Sequence, residues 1–293
     1  MTKIRSVDRL SSAEAADVLA LAAAAEQLDG VYPLSEDVVL RVRNGGGTHL
    51  LSDADAGLAG YAFLDGADAG SGELVVHPGH RRQGHGTALL AAAGDGPLTF
   101  WAHGDSAAAR TFAEKSGFAR TRVLWQMRRS LTEPLPDIPL PAGVTLRHFR
   151  PEYDERDWLD VNARAFAHHP EQGRWTLDDL RLREAEPWFD PDGFLLAVDI
   201  QDKLLGFHWT KVHPAAGPDP VLGEVYVLGV DPGGHRRGLG AALSVAGLRH
   251  LAESGLTGAL LYVDESNPAA VALYRKLGFA IYKTDVNYVR ARR

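Results

Sequence analysis

Residues 230–243 read Val-Asp-Pro-Gly-Gly-His-Arg-Arg-Gly-Leu-Gly-Ala-Ala-Leu and join an apolar run to a helical pattern. The apolar run, 225–230, predicts a strand, and the spacing of Leu239, Ala242 and Leu243 predicts the start of a helix. A glycine-rich turn between a strand and a helix points several backbone N–H groups one way, and the helix dipole adds positive charge there. Together with the two arginines, this predicts a phosphate- or pyrophosphate-binding turn, although a tight turn without a ligand leaves the same pattern.

The same stretch occurs earlier in the chain, at 77–90, as His-Pro-Gly-His-Arg-Arg-Gln-Gly-His-Gly-Thr-Ala-Leu-Leu. Superposing Gly84 on Gly238 also superposes Pro78 on Pro232 without a gap. A repeat at a fixed offset is typical of a duplicated structural unit. We therefore interpret the chain as two copies of one fold.

The predicted elements follow the same order in both halves. Capping boxes at 11–14 and 176–179 predict the starts of helices, and a Gly-Phe pair follows the last predicted helix of each half, at 117–118 and 278–279. Four prolines between 134 and 141 favour an extended linker. The sequence therefore predicts an N-terminal domain (1–130), a linker (131–143) and a C-terminal domain (144–293).

Composition excludes several classes of protein. The 293 residues carry a formal net charge of −7, which argues against a general nucleic-acid binder, and no apolar run is long enough to cross a membrane. The absence of cysteine removes disulfides and thiolate nucleophiles and is compatible with a reducing cytoplasm. His168 and His169 lack a third ligand at metal spacing, so we expect no metal. We expect a cytoplasmic monomer that binds neither nucleic acid nor membrane.

Each half resembles a domain of the GNAT acetyltransferase superfamily. The phosphate turn of that superfamily, Gln/Arg-x-x-Gly-x-Gly/Ala, is matched by Arg-Arg-Gln-Gly-His-Gly at 81–86 and by His-Arg-Arg-Gly-Leu-Gly at 235–240, where histidine departs from the first position. The segment 267–279 resembles the superfamily's closing Asn…Tyr…Gly-Phe element. The resemblance implies an α/β (mixed α+β) fold of two tandem domains, each a mixed, mostly antiparallel sheet flanked by helices, with a degenerate first domain and a catalytic second one.

More narrowly, the tandem resembles the mycothiol synthase family, through 228–240, 267–279 and the loop Ala-His-His-Pro-Glu-Gln-Gly at 167–173. This resemblance implies that acetyl-CoA is the co-substrate and that the cysteinyl amine of a glucosaminyl-inositol conjugate accepts the acetyl group. The coenzyme-binding residues that it implies in the second half are Leu228, Gly229, Val230, His235, Arg236, Arg237, Gly238, Leu239, Gly240, Ala241, Asn267, Ala270, Val271 and Ala272. Those implied in the first half are Leu74, Val75, Val76, Arg82, Gln83, Gly84, His85, Gly86 and Thr87.

Glu224 is the candidate general base for this reaction. Acetyl transfer needs a neutral amine, whereas a free α-amino group has a pKa of about 8. Period-two alternation predicts that Glu224, Tyr226 and Leu228 share one face of the strand that leads into the turn. A carboxylate that merely faces water at a strand end is the alternative.

Tyr274 is the candidate acid for the departing thiolate of coenzyme A, with Tyr282 left open as a second candidate and a core tyrosine as the structural alternative. The substrate-binding residues that the resemblance implies are Glu36, Glu171, Lys211, Glu224 and Tyr262. Glu36 is equally compatible with the first turn of a helix, where the dipole favours a carboxylate.

The first half lacks both catalytic groups. On the offsets of the two repeats Glu224 falls on Gly70, Tyr274 on Ala113 and Asn267 on Ser106, so we expect no catalysis there, whether that half binds coenzyme A or only packs. Two other functions stay open: a GNAT enzyme for another amine (an aminoglycoside, a polyamine or a protein N-terminus), and a non-catalytic acyl-CoA-binding regulator.

Overall fold

The computed structural model describes residues 3–55, 57–66, 70–169, 172–215, 219–234 and 238–291. The chain forms two compact units. Unit 1 contains Met1–Trp125, Asp264–Ser266 and Lys283–Arg293, and unit 2 contains Gln126–Val263 and Asn267–Tyr282.

Unit 1 is a sheet with helices packed on it. Its helices are α1 (Ser12–Asp29), α2 (Glu36–Asn44), α3 (His85–Ala92) and α4 (Ala107–Lys115). Its strands are β1 (Ile4–Val7), β2 (Thr48–Ala54), β3 (Gly57–Leu64), β4 (Ser71–Val76), β5 (Leu98–Ala102), the start of β6 (Ala119–Ser130) and the end of the last strand of the chain (Ala280–Arg290).

The strands of unit 1 are antiparallel from β1 to β4, and β4 then runs parallel to β5. The end of the last strand of the chain lies antiparallel to β5, pairing Val286 with Ala102 and Arg290 with Leu98. Apolar side chains of α1 and α2 form a core with β2–β4. The predicted capping box of α1 is present, with Ser11 and Glu14 each accepting from the other's backbone N–H.

Unit 2 has the same architecture. Its helices are α5 (Glu155–Ala165), α6 (Leu177–Glu184), α7 (Leu239–Glu253) and α8 (Pro268–Lys276). Its strands are β7 (Thr145–His148), β8 (Phe194–Val198), β9 (Leu204–His213), β10 (Leu222–Val230), β11 (Gly258–Asp264), the end of β6 and the start of β12 (Ala280–Arg290). β7 to β10 are antiparallel, and β10 is parallel to β11.

Two cores cover the two faces of the sheet in unit 2. On one face, α5 and α6 pack on an aromatic cluster in which the Trp209 ring stacks on Phe194 at 4.4 Å and meets Trp158 edge-on at 5.8 Å. On the other face, Leu239 and Leu243 of α7 lie on β8 and β9. The predicted fold class, a mixed and mostly antiparallel sheet flanked by helices in each half, is confirmed.

The compact units do not follow the single cut that the sequence predicts. The last strand of the chain pairs with β5 in unit 1, and the end of β6 belongs to unit 2, where the backbone N–H of Leu131 donates to Thr257. Closing strands can be exchanged in this way because pairing depends on the neighbouring strand rather than on position in the chain. As limits of the two repeats, 1–130, 131–143 and 144–293 stay a prediction.

A buried ion-pair network fastens this last strand within unit 1. His103 Nδ1 lies 3.0 Å from Asp285 Oδ2, and Nε2 lies 3.4 Å from Glu73 Oε1. Asp285 also accepts from the backbone N–H of Gly104, and Glu73 from that of Ser35, the N-cap of α2. Burial opposes a charge on the imidazole, but the Asp285 and Glu73 carboxylates outweigh it and raise the pKa of His103 to about 10.

This network predicts a pH-dependent contribution to stability. The folded pKa of His103 lies above the unfolded value of about 6.5, so the contribution is complete below about pH 6.5 and is lost as the pH rises through about 10. The parent protein should therefore lose its advantage over His103→Gln in free energy of unfolding between about pH 7 and pH 10. Urea denaturation of both proteins across this range measures it, and a difference that does not change with pH would contradict the assignment.

Candidate active site

The pairing of β10 changes register in its middle. Val225 pairs with Thr210 of β9, whereas Val227 pairs with Trp209, so Tyr226 is an extra residue in β10, a β-bulge. On its other side β10 pairs with β11 over Gly223–Val225, although β10 continues to Val230. In the described part of the chain, β10 therefore pairs with β11 at these three residues, and the carboxyl end of β10 extends past this pairing.

The bulge corrects the predicted alternation of side chains. Glu224 and Tyr226 do lie on the face of α5 and α6, where Tyr226 meets the Trp209 ring at 5.2 Å. Leu228, however, packs with Leu239 and Leu243 of α7 on the opposite face. An extra residue shifts the period-two alternation by one, which is why the prediction that Glu224, Tyr226 and Leu228 share one face is wrong for Leu228.

Glu224 is buried and has two charged or titratable partners on β9. It lies directly opposite Lys211 in the antiparallel pair, and its Oε2 is 2.6 Å from His213 Nε2. Lys211 and Glu224 are 8% and 6% exposed, so both charges are largely withdrawn from water, whereas the His213 side chain is 35% exposed. A buried carboxylate is retained only where it has such partners.

Aromatic rings hold the Lys211 ammonium group. Nζ lies 4.4 Å from the ring centre of Trp188 and 5.1 Å from that of Tyr226, close enough for cation–π attraction. Arg183 of α6 donates to the Tyr226 hydroxyl at 2.9 Å and lies over the Trp175 ring. The rings of Trp188 and Tyr226 thus hold the Lys211 ammonium group in a fixed position relative to Glu224.

Tyr262 lies on the same face, at the edge of this group. Leu260 pairs with Glu224, and Tyr262 follows it by two residues, which places both side chains on the Glu224 side of the sheet. The Tyr262 hydroxyl accepts from Gln126 at 2.7 Å. Arg128 donates to Gln126, binds Asp219 through two hydrogen bonds of 2.7 Å and covers the Tyr282 ring at 3.6 Å.

The glycine turn stands at the carboxyl end of β10. Gly238 is the N-cap of α7 and adopts the left-handed conformation (φ 88°), with open space where a Cβ would lie. Leu239 is buried, Gly240 lies against Val230, and Gly229 lies against Phe207. Of the predicted residues, His235, Arg236 and Arg237 in this turn and Glu171 in the 167–173 loop lie outside the described residues.

The start of α8 lies just beyond the carboxyl end of β11, and ligands of such sheets bind at this edge. Asn267 is the N-cap, its side chain accepting from the Ala270 N–H at 3.1 Å, and Val271 is buried while Ala272 is exposed. Tyr274 is buried and meets Phe279 edge-on at 5.8 Å. Burial raises the pKa of Tyr274 to about 12, so its hydroxyl keeps its proton at neutral pH.

The first half repeats the turn. Gly84 is the N-cap of α3 with φ 92°, and a Cβ there would again meet open space. Its surroundings differ, because His85 bonds Ser52 in the core and a Cβ on Gly86 would lie 3.1 Å from Phe112. Of the other predicted residues, Leu74 and Val75 pack in the cores of unit 1, Val76 is half-buried, and Arg82, Gln83 and Thr87 are exposed.

The bulge also corrects the predicted counterpart of Glu224. Ser71 pairs with Thr99 in unit 1 as Glu224 pairs with Leu260 in unit 2, so Ser71, not Gly70, stands in its place. β4 pairs with β3 without a register shift, so β4 lacks the extra residue that Tyr226 adds to β10. The offset between the two repeats is therefore one residue smaller before the bulge than after it. Ser106 caps α4 as Asn267 caps α8, and Ala113 is buried as Tyr274 is. The first half has neither a carboxylate nor a phenol at these positions.

Glu36, the remaining predicted residue, begins α2 in unit 1 and is half-buried. The structure therefore groups Glu224, Lys211 and Tyr262 on one face of unit 2, and the glycine turn and Asn267 at the carboxyl edge of its sheet. His213 was missed, because it lies outside every motif and only the strand pairing brings it to Glu224. Over the described ranges, no helix is long and apolar enough to span a membrane, and no His, Cys, Asp or Glu side chains group as metal ligands.

Comparison with known proteins relates both halves to one family. Residues 153–279 match the acetyltransferase (GNAT) family model, and residues 45–120 match a GNAT acetyltransferase domain. The chain is 56% identical to a mycothiol acetyltransferase of Salinispora arenicola, covering 99% of this chain and 97% of that protein. It is also 56% identical to one of Thermomonospora curvata, covering 96% of this chain and 95% of that protein.

Solved structures share the fold of the whole chain. A GCN5-related N-acetyltransferase from Sphaerobacter thermophilus matches with a TM-score of 0.71 at 25% identity, covering 99% of this chain and 96% of that one. A tandem GNAT protein of the clavulanic acid biosynthesis pathway matches with a TM-score of 0.71 at 20% identity, covering 99% of both chains. The latter likeness shows the fold alone.

Proposed function

The chain belongs to the mycothiol acetyltransferase family of tandem GNAT proteins, and on that premise we propose that it transfers the acetyl group of acetyl-CoA to the cysteinyl amine of desacetylmycothiol, the last step of mycothiol biosynthesis. The observation that carries the proposal is the buried Glu224, on the strand that leads into the glycine turn, with Lys211 opposite and His213 in contact. A carboxylate in that place can take a proton from an acceptor amine.

Acetyl-CoA binds, in this proposal, at the carboxyl edge of the sheet in unit 2. Backbone N–H groups at the start of α7 and the turn 235–240 hold the pyrophosphate, because the left-handed Gly238 lets the backbone approach it closely. The end of β10 and the start of α8, from Leu228–Val230 and Asn267–Ala272, hold the rest of the coenzyme. We expect no chemistry at the first-half turn around Gly84, because the positions that correspond to Glu224 and Tyr274 hold Ser71 and Ala113.

Chemistry begins when Glu224 removes a proton from the acceptor ammonium group. The neutral amine attacks the thioester carbonyl, the nitrogen loses its second proton to solvent, the carbon–sulfur bond breaks, and coenzyme A leaves as a thiolate that becomes a thiol. Burial raises the pKa of the Tyr274 hydroxyl above that of a thiol, so complete proton transfer from Tyr274 to the thiolate is unfavourable. We therefore assign Tyr274 as the hydrogen-bond donor that stabilises the departing sulfur while solvent supplies its proton.

Acceptor recognition uses Lys211 and Tyr262 on the Glu224 face of unit 2, with Glu171 assigned by resemblance. A cationic amine on a polyhydroxylated sugar and inositol is matched by carboxylates and by hydrogen-bond donors held in fixed positions. Lys211 is such a donor, because the rings of Trp188 and Tyr226 hold its ammonium group in place. A coenzyme A release assay with desacetylmycothiol, an aminoglycoside, a polyamine and a peptide N-terminus tests the proposal: release only with another amine, or with none, would overturn it.

Glu224→Gln should lower kcat by at least about tenfold, because the amide cannot accept the proton that general-base catalysis requires. The KM for acetyl-CoA should stay within about twofold, since Glu224 lies upstream of the turn. Steady-state kinetics at neutral pH measure both. Equal activity of variant and parent across the pH range would remove Glu224 as the base.

Tyr274→Phe should lower kcat with little effect on stability, since only the hydroxyl group is lost and the buried ring keeps its contact with Phe279. Tyr282→Phe is the matched control, because the Tyr282 ring is held under Arg128 and keeps that contact without its hydroxyl. The assignment fails if Tyr282→Phe, rather than Tyr274→Phe, reduces kcat.

Gly238→Val and Gly84→Val form a matched pair. Both glycines have a positive φ and open space around the missing Cβ, so the substitutions should destabilise the protein by similar amounts, about 1–2 kcal/mol. Only Gly238→Val should raise the acetyl-CoA KM, by about tenfold or more, which corresponds to ~1.4 kcal/mol of binding. Thermal unfolding and acetyl-CoA kinetics compare the two, and loss of turnover in folded Gly84→Val would refute the division of labour.

A further inference from the structure

His213 joins the buried Glu224 carboxylate to solvent. Its Nε2 is 2.6 Å from Glu224 Oε2, at the short end of charge-assisted hydrogen bonds. Glu224 is 6% exposed, whereas His213 ends β9 and its side chain is 35% exposed. In the described part of the site, His213 is therefore a titratable side chain that both reaches water and is in hydrogen-bond contact with the Glu224 carboxylate.

The reaction produces a proton that must leave this buried place. An ammonium acceptor and acetyl-CoA give an amide, a thiol and one free proton, and each turnover begins with Glu224 taking that proton. Below a pH of about 8 most of the acceptor amine is protonated, so this step is needed in nearly every turnover. Glu224 must then lose the proton before it can act again.

We propose that His213 is the proton relay of the second half, carrying the acceptor's proton from Glu224 to solvent; the inference rests on the proposed function. In the free protein the neutral imidazole carries its proton on Nε2 and donates to the Glu224 carboxylate. Once Glu224 has taken the proton of the acceptor nitrogen, the ring changes by proton exchange with water to the form protonated on Nδ1, so that Nε2 can accept the proton from Glu224. The imidazolium releases the proton on Nδ1 to water and returns to its neutral form, so Glu224 is again a carboxylate and no other reactant is consumed. Nδ1 carries the released proton because Nε2 faces Glu224.

The surrounding groups favour outward transfer. Lys211 of β9 and Tyr262 of β11 share the face of the Glu224–His213 pair, and Tyr226 of β10 with Arg183 of α6 lies beside Lys211. Lys211 and Arg183 are buried cations, and they repel positive charge that is held beside them. This repulsion favours transfer of the proton outward through the more exposed His213. The first acidic residue that the structure describes after β9 is Asp219, and Arg128 binds its carboxylate.

Variants of His213 separate a relay from a hydrogen-bond donor. Gln places an amide nitrogen near the position of Nε2 and can donate to Glu224, but it cannot carry a proton through. We expect His213→Gln and His213→Ala to lower kcat on desacetylmycothiol by about tenfold at pH 7, with the acetyl-CoA KM unchanged. The defect should shrink as the pH rises to about 9.5, where the acceptor amine is already neutral in solution. His148→Gln, at an exposed histidine of β7, is the control and should keep the parent kcat.

Added imidazole gives the decisive comparison. Free imidazole should restore kcat of His213→Ala at least about threefold and leave His213→Gln and Glu224→Gln unchanged, which a purely structural role would not produce. Parent kcat in His213→Gln, or a defect in His213→Ala that neither imidazole nor high pH relieves, would overturn the relay.

A measurement without any acceptor distinguishes failure of the relay from failure of the proposed function. Proton NMR of the free protein should show a downfield N–H signal of the His213–Glu224 bond that is absent from Glu224→Gln and from His213→Gln. If the parent protein does not acetylate desacetylmycothiol, the proposed function fails, and the imidazole comparison is made with the amine that it does acetylate. Identical downfield spectra of parent and Glu224→Gln would overturn the His213–Glu224 pair whatever the acceptor is.

Discussion

The register shift at Tyr226 is the constraint on which the arrangement of unit 2 depends. Before it, Glu224 faces Lys211 and His213 on the side of α5 and α6; after it, Leu228 packs on the side of α7. A regular strand would place Glu224 and Leu228 on the same face of the sheet. Either α7 would then lose Leu228 as a packing partner, or Glu224 would lose its contacts with Lys211 and His213. One extra residue allows a single strand to hold a buried carboxylate and to pack on the helix that follows the turn.

Burial of charge sets the second condition. Glu224 and Lys211 lie almost completely out of water, and each buried charge would cost several kcal/mol if it stood alone. Lys211 gains two aromatic faces and an opposite carboxylate, and Glu224 gains His213. The first half shows the contrast, since Ser71 stands in place of Glu224 and the buried charges gather at His103 instead, where they hold the last strand of the chain. The two copies of one fold thus bury charged side chains in different places, beside Glu224 on β10 in one and at the attachment of the last strand in the other.

Much of the fold could be predicted from local signals, because caps, glycines and periodicity act within a few residues. The box at Ser11 and Glu14 and the αL glycines at 84 and 238 mark helix starts that the structure shows. The bulge could not be predicted, because Tyr226 is an ordinary strand residue whose neighbours in space set the register. His213 and the exchange of closing strands escaped for the same reason, since each depends on which strands pair. The motif-based residues stay predictions about binding, and the structure adds the partners that give Glu224 and Lys211 fixed places.

We propose that the second half moves an acetyl group directly to an amine held beside Glu224, without an acetylated form of the protein. The most direct measurement uses acetyl-CoA labelled in its carbonyl carbon, with desacetylmycothiol, and follows the label in product and protein by mass spectrometry and carbon NMR. Direct transfer predicts a labelled amide on the cysteinyl nitrogen, a free thiol in the product and no label on the protein. Label in a thioester of the product, or bound covalently to the protein during turnover, would contradict it.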